Sequence, residues 1–134
     1  MANEAVCIEK SVMNDVMRTC ADGIGIEKGT LCVLTDANVV SGSTASHTGI
    51  AFGGITTAEK VASDGSTRVA CAMNGVYDLK AADTTITAGV LVSISGANLI
   101  KTATEAEIAA GGAIGKAEES ASTGEVIRVR LLGY

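Results

Sequence analysis

The stretch IEKGTLCVLTDANVV, residues 26–40, lies over ITAGVLVSISGANLI, residues 86–100, when the 134-residue chain is slid against itself by 60 positions. Ile26, Gly29, Leu31, Ala37 and Asn38 then meet the identical Ile86, Gly89, Leu91, Ala97 and Asn98, five of fifteen positions. Cys32 with Val92, Leu34 with Ile94, Thr35 with Ser95, Val39 with Leu99 and Val40 with Ile100 add conservative pairs. With one residue dropped the match resumes, GITTAEKVASDGSTRV (54–69) over AIGKAEESASTGEVIR (113–128), which sets Ile55 on Ile114, Ala58-Glu59 on Ala117-Glu118 and Gly65 on Gly124. Each unit reads as a turn glycine, a strand, an Asx-type turn at Asn38 or Asn98, a return strand, an Ala-Glu corner and a Gly-closed hairpin. A unit of about 60 residues is too small to close a β core alone, and two together are not.

The expected fold is therefore all-β: one small barrel or sandwich over residues 21–134, built from related units at 24–80 and 84–134, behind an N-terminal arm over 1–20. Sixteen glycines, no proline and short β-branched runs between Gly, Ser, Asn and Asp clusters agree with tight turns. The expected strands are Thr30–Leu34, Ile50–Ile55, Thr67–Met73, Gly75–Leu79, Val90–Ile94, Ala113–Ala117 and Glu125–Leu132, with a two-residue hairpin at Asn74-Gly75. Thr104 to Gly111 has an N-cap residue, early acids and a closing glycine, so one or two helical turns are expected near 104–110. Residues Ile8–Met17 fit an amphipathic helix, with Ile8, Val12 and Val16 four apart, and fit an extended arm equally well.

Composition excludes several functions. Three aromatic residues, Phe52, Tyr77 and Tyr134, and no Trp leave no stacking platform for single-stranded nucleic acid. Ten basic against fifteen acidic residues, net −5, oppose a grip on phosphate backbones. No apolar run nears the roughly 20 residues of a spanning helix, and the start lacks a signal-peptide pattern, so a soluble protein made in a cytoplasm is expected. Mean hydropathy of +0.35 with 19% charged residues is the balance of a chain that hides apolar surface in subunit contacts, or simply of one rich in alanine.

Catalytic and metal chemistry is missing from the pattern. Cys7, Cys20, Cys32 and Cys71 form no C-x-x-C pair and have one histidine, His47, for company, so no metal site is expected. His47 sits in the polar loop SGSTASHT (41–48) without a nucleophile motif. Gly49–Gly54 and Gly111–Gly115 lack the Lys-Ser/Thr ending of a phosphate loop, and the acid pairs Glu118-Glu119 and Glu105-Glu107 fall in alanine-rich segments. Lys60 and Lys116 lie near corners, as in lipoyl or biotinyl carrier domains, but without the D-K-A or M-K-M surroundings of a modified lysine. No enzyme and no cofactor are expected.

The strings ADGIGIEKGTLCVLTDANVV, GITTAEKVASDGSTRVAC, NGVYDL and ITAGVLVSISGANLI, in that order, resemble the small capsid cement or decoration proteins of tailed bacteriophages over residues 21 to 133. Residues 1–20, with MNDVMRTC, have no counterpart in the resemblance. It implies a barrel-like structural virion protein that binds the outer surface of the expanded head, as a homotrimer at three-fold positions, with the major capsid protein as partner, and stabilises the shell. Outside the repeat, Val6, Ile8, Val12, Met13, Val16 and Met17 are the expected capsid-binding side chains. Cys32 and Cys71 should be buried, and Cys7 and Cys20 protected only on assembly. The alternatives are a small ligand-binding or carrier barrel, against which the scarcity of aromatics weighs, and a self-assembling tail protein.

Overall fold

The computed structural model describes residues 2–9, 15–82 and 85–132. They form eleven strands and one short helix. In chain order the strands are β1 (Val6–Glu9), β2 (Val16–Thr19), β3 (Leu31–Asp36), β4 (Val39–Gly42), β5 (Phe52–Thr56), β6 (Arg68–Ala72), β7 (Asn74–Ala81), β8 (Leu91–Ile94), β9 (Leu99–Thr102), β10 (Ala113–Ala117) and β11 (Val126–Leu132), with α1 (Glu105–Ala109) between β9 and β10. No described helix is long and apolar enough to cross a membrane.

Two closed barrels of five strands account for all but β1. The first runs β2-β4-β3-β5-β6 and closes on itself; the second runs β7-β9-β8-β10-β11 and closes likewise, with β1 added to β7. In each, the opening strand pairs parallel with the third (Thr19 with Val39, Lys80 with Leu99) and antiparallel with the fifth. The all-β, two-unit barrel architecture expected from the repeat is what the structure has, but each unit closes its own five-stranded barrel where one shared barrel was expected, because the parallel pairing of first and third strands lets about 60 residues complete a ring.

Three expectations need correction. The Asn74-Gly75 hairpin is absent: β6 belongs to the first barrel and β7 to the second, so this dipeptide carries the chain between them. Asn74 lacks the positive φ that a two-residue hairpin turn demands, and β6 already has β5 and β2 at its two edges. The units accordingly divide at Met73, as β2–β6 and β7–β11, and not between 80 and 84. Finally, the described residues of the expected arm over 1–20 are not an appendage, because β1 is bonded to β7 and β2 is a stave of the first barrel. The helical alternative for Ile8–Met17 is likewise not found among its described residues, which end and begin in strands; 10–14 lie outside them.

The second repeat match also shifts. Cys32 pairs with Gly54 and its counterpart Val92 with Gly115, so Gly54 corresponds to the residue 61 further on. The bridges Ile26 to Lys60 and Ile86 to Ala121 keep that offset. Beyond the corner it falls to 58, since Thr19 faces Arg68 while Lys80 faces Val126. The single offset of 59 read from the sequence averages two true ones, because the second corner is three residues shorter and Gly65 and Gly124 attract each other in a linear alignment.

The lumens follow the repeat. Cys20, Ile26, Cys32, Val40, Val69 and Cys71 fill the first, and their counterparts Ala81, Ile86, Val92, Ile100, Ile127 and Val129 the second. On the opposite faces of β3, β5 and β6, Leu31, Val33, Phe52, Ile55 and Ala72 join the second barrel's core in one cluster. Gly54 makes room in the first lumen: a Cβ there would stand 2.6 Å from Cys71 Cβ. The turn residues Asn38 and Asn98 both take left-handed φ, 57° and 55°, a conformation asparagine tolerates better than most. Helix α1 has the expected N-cap at Thr104, which the Glu107 side chain completes as a capping box.

Candidate functional site

The structure divides the six sequence-predicted side chains. Val6 (57% exposed) and Ile8 (40%) project from β1, and Val16 (37%) and Met17 (43%) from β2. Val12 and Met13 lie outside the described residues. The four that are described are partly exposed apolar side chains on strands tied to different barrels, β1 to the edge of the second and β2 within the first. Val6 pairs with Asp78 across the β1–β7 ladder, and Cys7 with Tyr77.

Between β1 and the first barrel is a cavity of about 150 Å³ lined by Cys7, Lys28, Thr56, Thr57 and Tyr77, among others. Its polar groups are mostly engaged. Thr56 Oγ1 accepts from Thr30 N–H at 2.9 Å and donates to Glu27 O at 2.6 Å, and Thr57 Oγ1 donates to Asp15 Oδ2 at 2.8 Å. Burial, then the neighbouring Cys7, pushes the Tyr77 hydroxyl well above its ordinary pKa. The cavity is too small for a drug-sized ligand, which occupies roughly 300 Å³ or more.

The remaining sequence candidates are structural. Lys60 is 3% exposed, closing one end of the first barrel. Its Nζ donates to Asp64 Oδ1 at 2.8 Å, Asp22 Oδ1 at 3.2 Å, Val61 O at 2.7 Å and Asp22 O at 3.0 Å. Burial opposes the ammonium, but Asp64 and Asp22 outweigh it and hold its pKa above the usual lysine value. An ammonium with every hydrogen so engaged is not the exposed amine of a carrier domain, and Lys116 lies within β10, not at a hairpin tip. His47 Nδ1 accepts from Thr44 N–H at 3.0 Å and folds its own loop. Glu107, drawn against Lys101 Nζ at 2.6 Å and Ser93 Oγ at 3.2 Å, pins α1 to β8.

Of the thiols, Cys32 and Cys71 are fully buried as expected, and Cys7 is exposed. Cys20 corrects its expectation: it is a lumen residue at 4% exposure, protected without any assembly. The hydrogen bond with Cys71, together with burial, raises the Cys32 pKa, and burial raises that of Cys20, so neither is a nucleophile. Among the described residues no three His, Cys, Asp or Glu side chains converge on a metal-sized point.

Sequence reasoning missed two polar groups that shape the site. Asn98 is 1% exposed and joins the barrels: its Oδ1 accepts from Leu31 N–H at 2.9 Å, its N–H donates to Ser43 Oγ at 3.0 Å, and its Nδ2 donates to Ala2 O at 3.3 Å. Its repeat mate Asn38 is exposed and accepts from Arg18 Nη1 at 3.1 Å. The repeat identified both as turn residues, but nothing local marks one as a buried junction. Comparison of the chain with known protein families and with curated proteins finds no match.

Proposed function

We propose that this chain is a structural virion protein that binds the outer surface of a phage capsid and reinforces the expanded head. One observation carries the reading on the structural side: a pair of closed barrels leaves Val6, Ile8, Val16 and Met17 in solvent on its two N-terminal strands. The ordered resemblance of residues 21–133 to capsid cement proteins supplies the partner, the major capsid protein, and the arrangement, a homotrimer at three-fold positions on the head exterior. The role is mechanical and needs no cofactor, nucleic acid or membrane. A body that binds only the intact lattice stabilises it by mass action, and many copies multiply a weak contact.

The test is to mix purified protein with expanded, undecorated heads, sediment the mixture, and heat decorated and bare heads in parallel. Co-sedimentation at saturating stoichiometry with a raised DNA-release temperature is the expected result. Absence of binding rejects the reading, and binding with an unchanged release temperature leaves attachment without reinforcement. Val6→Asp with Met17→Asp should abolish binding and leave the lumens intact.

A further inference from the structure

The internal repeat shows what one edge of the first barrel, filled by no described strand, is built to receive. In the second barrel the opening strand β7 has β11 along one edge, while β9 and β1 share the other. β9 pairs with Lys80 and Ala81, and β1 with Val76 to Asp78. In the first barrel β2 has β6 along one edge, and β4 covers the other only at Thr19. No described strand takes the place that corresponds to β1.

Register fixes which backbone groups face that gap. Cys20 N–H donates to Thr67 O at 2.8 Å, which makes Arg18 opposite Val69 and Val16 opposite Cys71 the hydrogen-bonded pairs of the β2–β6 ladder, and Met17 opposite Ala70 a non-bonded one. The N–H and C=O of Met17 therefore point away from β6, as Thr19 N–H does when it donates to Asn38 O at 2.8 Å. The counterpart of Met17 is Asp78, whose edge is taken by Val6 of β1. The side chains repeat the contrast. Tyr77, covered by Cys7, is 4% exposed, while its counterpart Val16 is 37% exposed. The turn asparagine completes it: Asn98 Nδ2 donates to Ala2 O in the segment leading into β1, whereas Asn38 uses only Oδ1, toward Arg18.

We propose that this edge of β2 is a strand-addition site for an extended segment of a partner polypeptide, which runs antiparallel to β2, pairs with Met17 and takes a hydrogen bond from Asn38 Nδ2. The segment resembles residues 2–8 of this chain in its small and β-branched character. The chain carries net charge −5, so a basic flank on the segment suits it better than an acidic one. Main-chain bonds supply affinity and the apolar side chains at alternate positions supply selectivity. The site rests on the repeat alone; only the identification of its partner as the capsid protein rests on the function proposed above.

The probe is a fluorescent peptide with the sequence of residues 2–8, carrying Cys7→Ser and two C-terminal lysines, titrated against the full chain. Saturable binding is expected, with protection of the Met17 amide from hydrogen exchange. Met17→Pro removes the outward N–H without touching a β6 bond and should weaken binding about tenfold or more. A circular dichroism melt near that of the wild type shows that Met17→Pro still folds. Should that variant unfold, Asn38→Gly, which keeps the left-handed turn and deletes the donor amide, is the substitute and should also weaken binding. No binding at millimolar peptide, or binding indifferent to both variants, overturns the proposal. So does self-association that Met17→Pro abolishes, since the occupant is then a second copy. Normal head binding by Met17→Pro overturns the capsid protein as the occupant of this edge and spares the proposed function; peptide binding without head binding spares the site and overturns that function.

Discussion

The first barrel holds Cys20, Cys32 and Cys71 where the second holds Ala81, Val92 and Val129, and Val40 and Val69 where the second holds Ile100 and Ile127. At one end the first has the ion-paired Lys60 and the second Ala121, each bridged to the corresponding isoleucine. Identical strand order is thus compatible with two different ways of closing a lumen. The second barrel relies on branched aliphatic side chains, which also merge with the outward face of the first. The first relies on smaller, softer side chains and a charged plug. The difference teaches that topology here is set by turns and register, while the hydrophobic content of each lumen is free to vary, so the first barrel should open more readily.

The most severe test of that asymmetry is a matched pair of core truncations. Ile100→Ala should cost about 2–5 kcal/mol and Val40→Ala about 2 kcal/mol in denaturant unfolding. Equal costs would mean that the two lumens contribute alike. The next largest effect separates the turn asparagines. Both pay the same left-handed φ on replacement, so Asn98→Ala should exceed Asn38→Ala by about 1–3 kcal/mol, the penalty for leaving Leu31 N–H buried without an acceptor. A difference near zero would remove Asn98 as the pin between the barrels.

The pH dependence should come from the first barrel. The hydrogen bond from Lys60, then that from Ser66 N–H, holds Asp64 below its ordinary value of 3.8. A lowered folded pKa contributes stability that is present above that value and lost as pH falls through the folded one. Lys60, raised above 10.5, contributes fully below that value and loses its contribution as pH rises beyond. The stability gap between wild type and Lys60→Met should therefore be widest between these limits and narrow below pH 3.8, with salt screening the exposed carboxylates. A gap that is flat through the acid limb would contradict this. The smallest effect expected is from Cys32→Val with Cys71→Val, which copies the second lumen into the first. It should change stability by only about 1 kcal/mol, a small change in packed volume, and leave Cys7 as the one thiol labelled in the native state.

Much of this was legible before any coordinates. Gly29 and Gly89, Asn38 and Asn98, and the strands after and between them follow from turn chemistry and β-branched runs, because left-handed φ and strand propensity are properties of a few adjacent residues. The helix start at Thr104 was legible for the same reason. Of the exposed surface, Val6, Ile8, Val16 and Met17 stood out as apolar residues outside the repeat. The pairing of their strands, β2 as a stave of the first barrel and β1 added to the edge of the second, was not legible, since a four-residue strand such as Val16–Thr19 gains its identity from Cys71 and Val39 across the barrel.

The sequence by itself determined that this is an all-β chain of two related units with turns at fixed places, since those features are written in residues close together along the chain. Tertiary structure alone decided that each unit closes on itself, that Asn74-Gly75 crosses between barrels, that Cys20 and Lys60 are interior, and that β1 fills an edge of one barrel whose counterpart no described strand fills. Each of these depends on which edges meet, and a strand edge carries the same N–H and C=O groups whatever its sequence. Pairing is then decided by the closure of the whole barrel and by the burial that closure achieves.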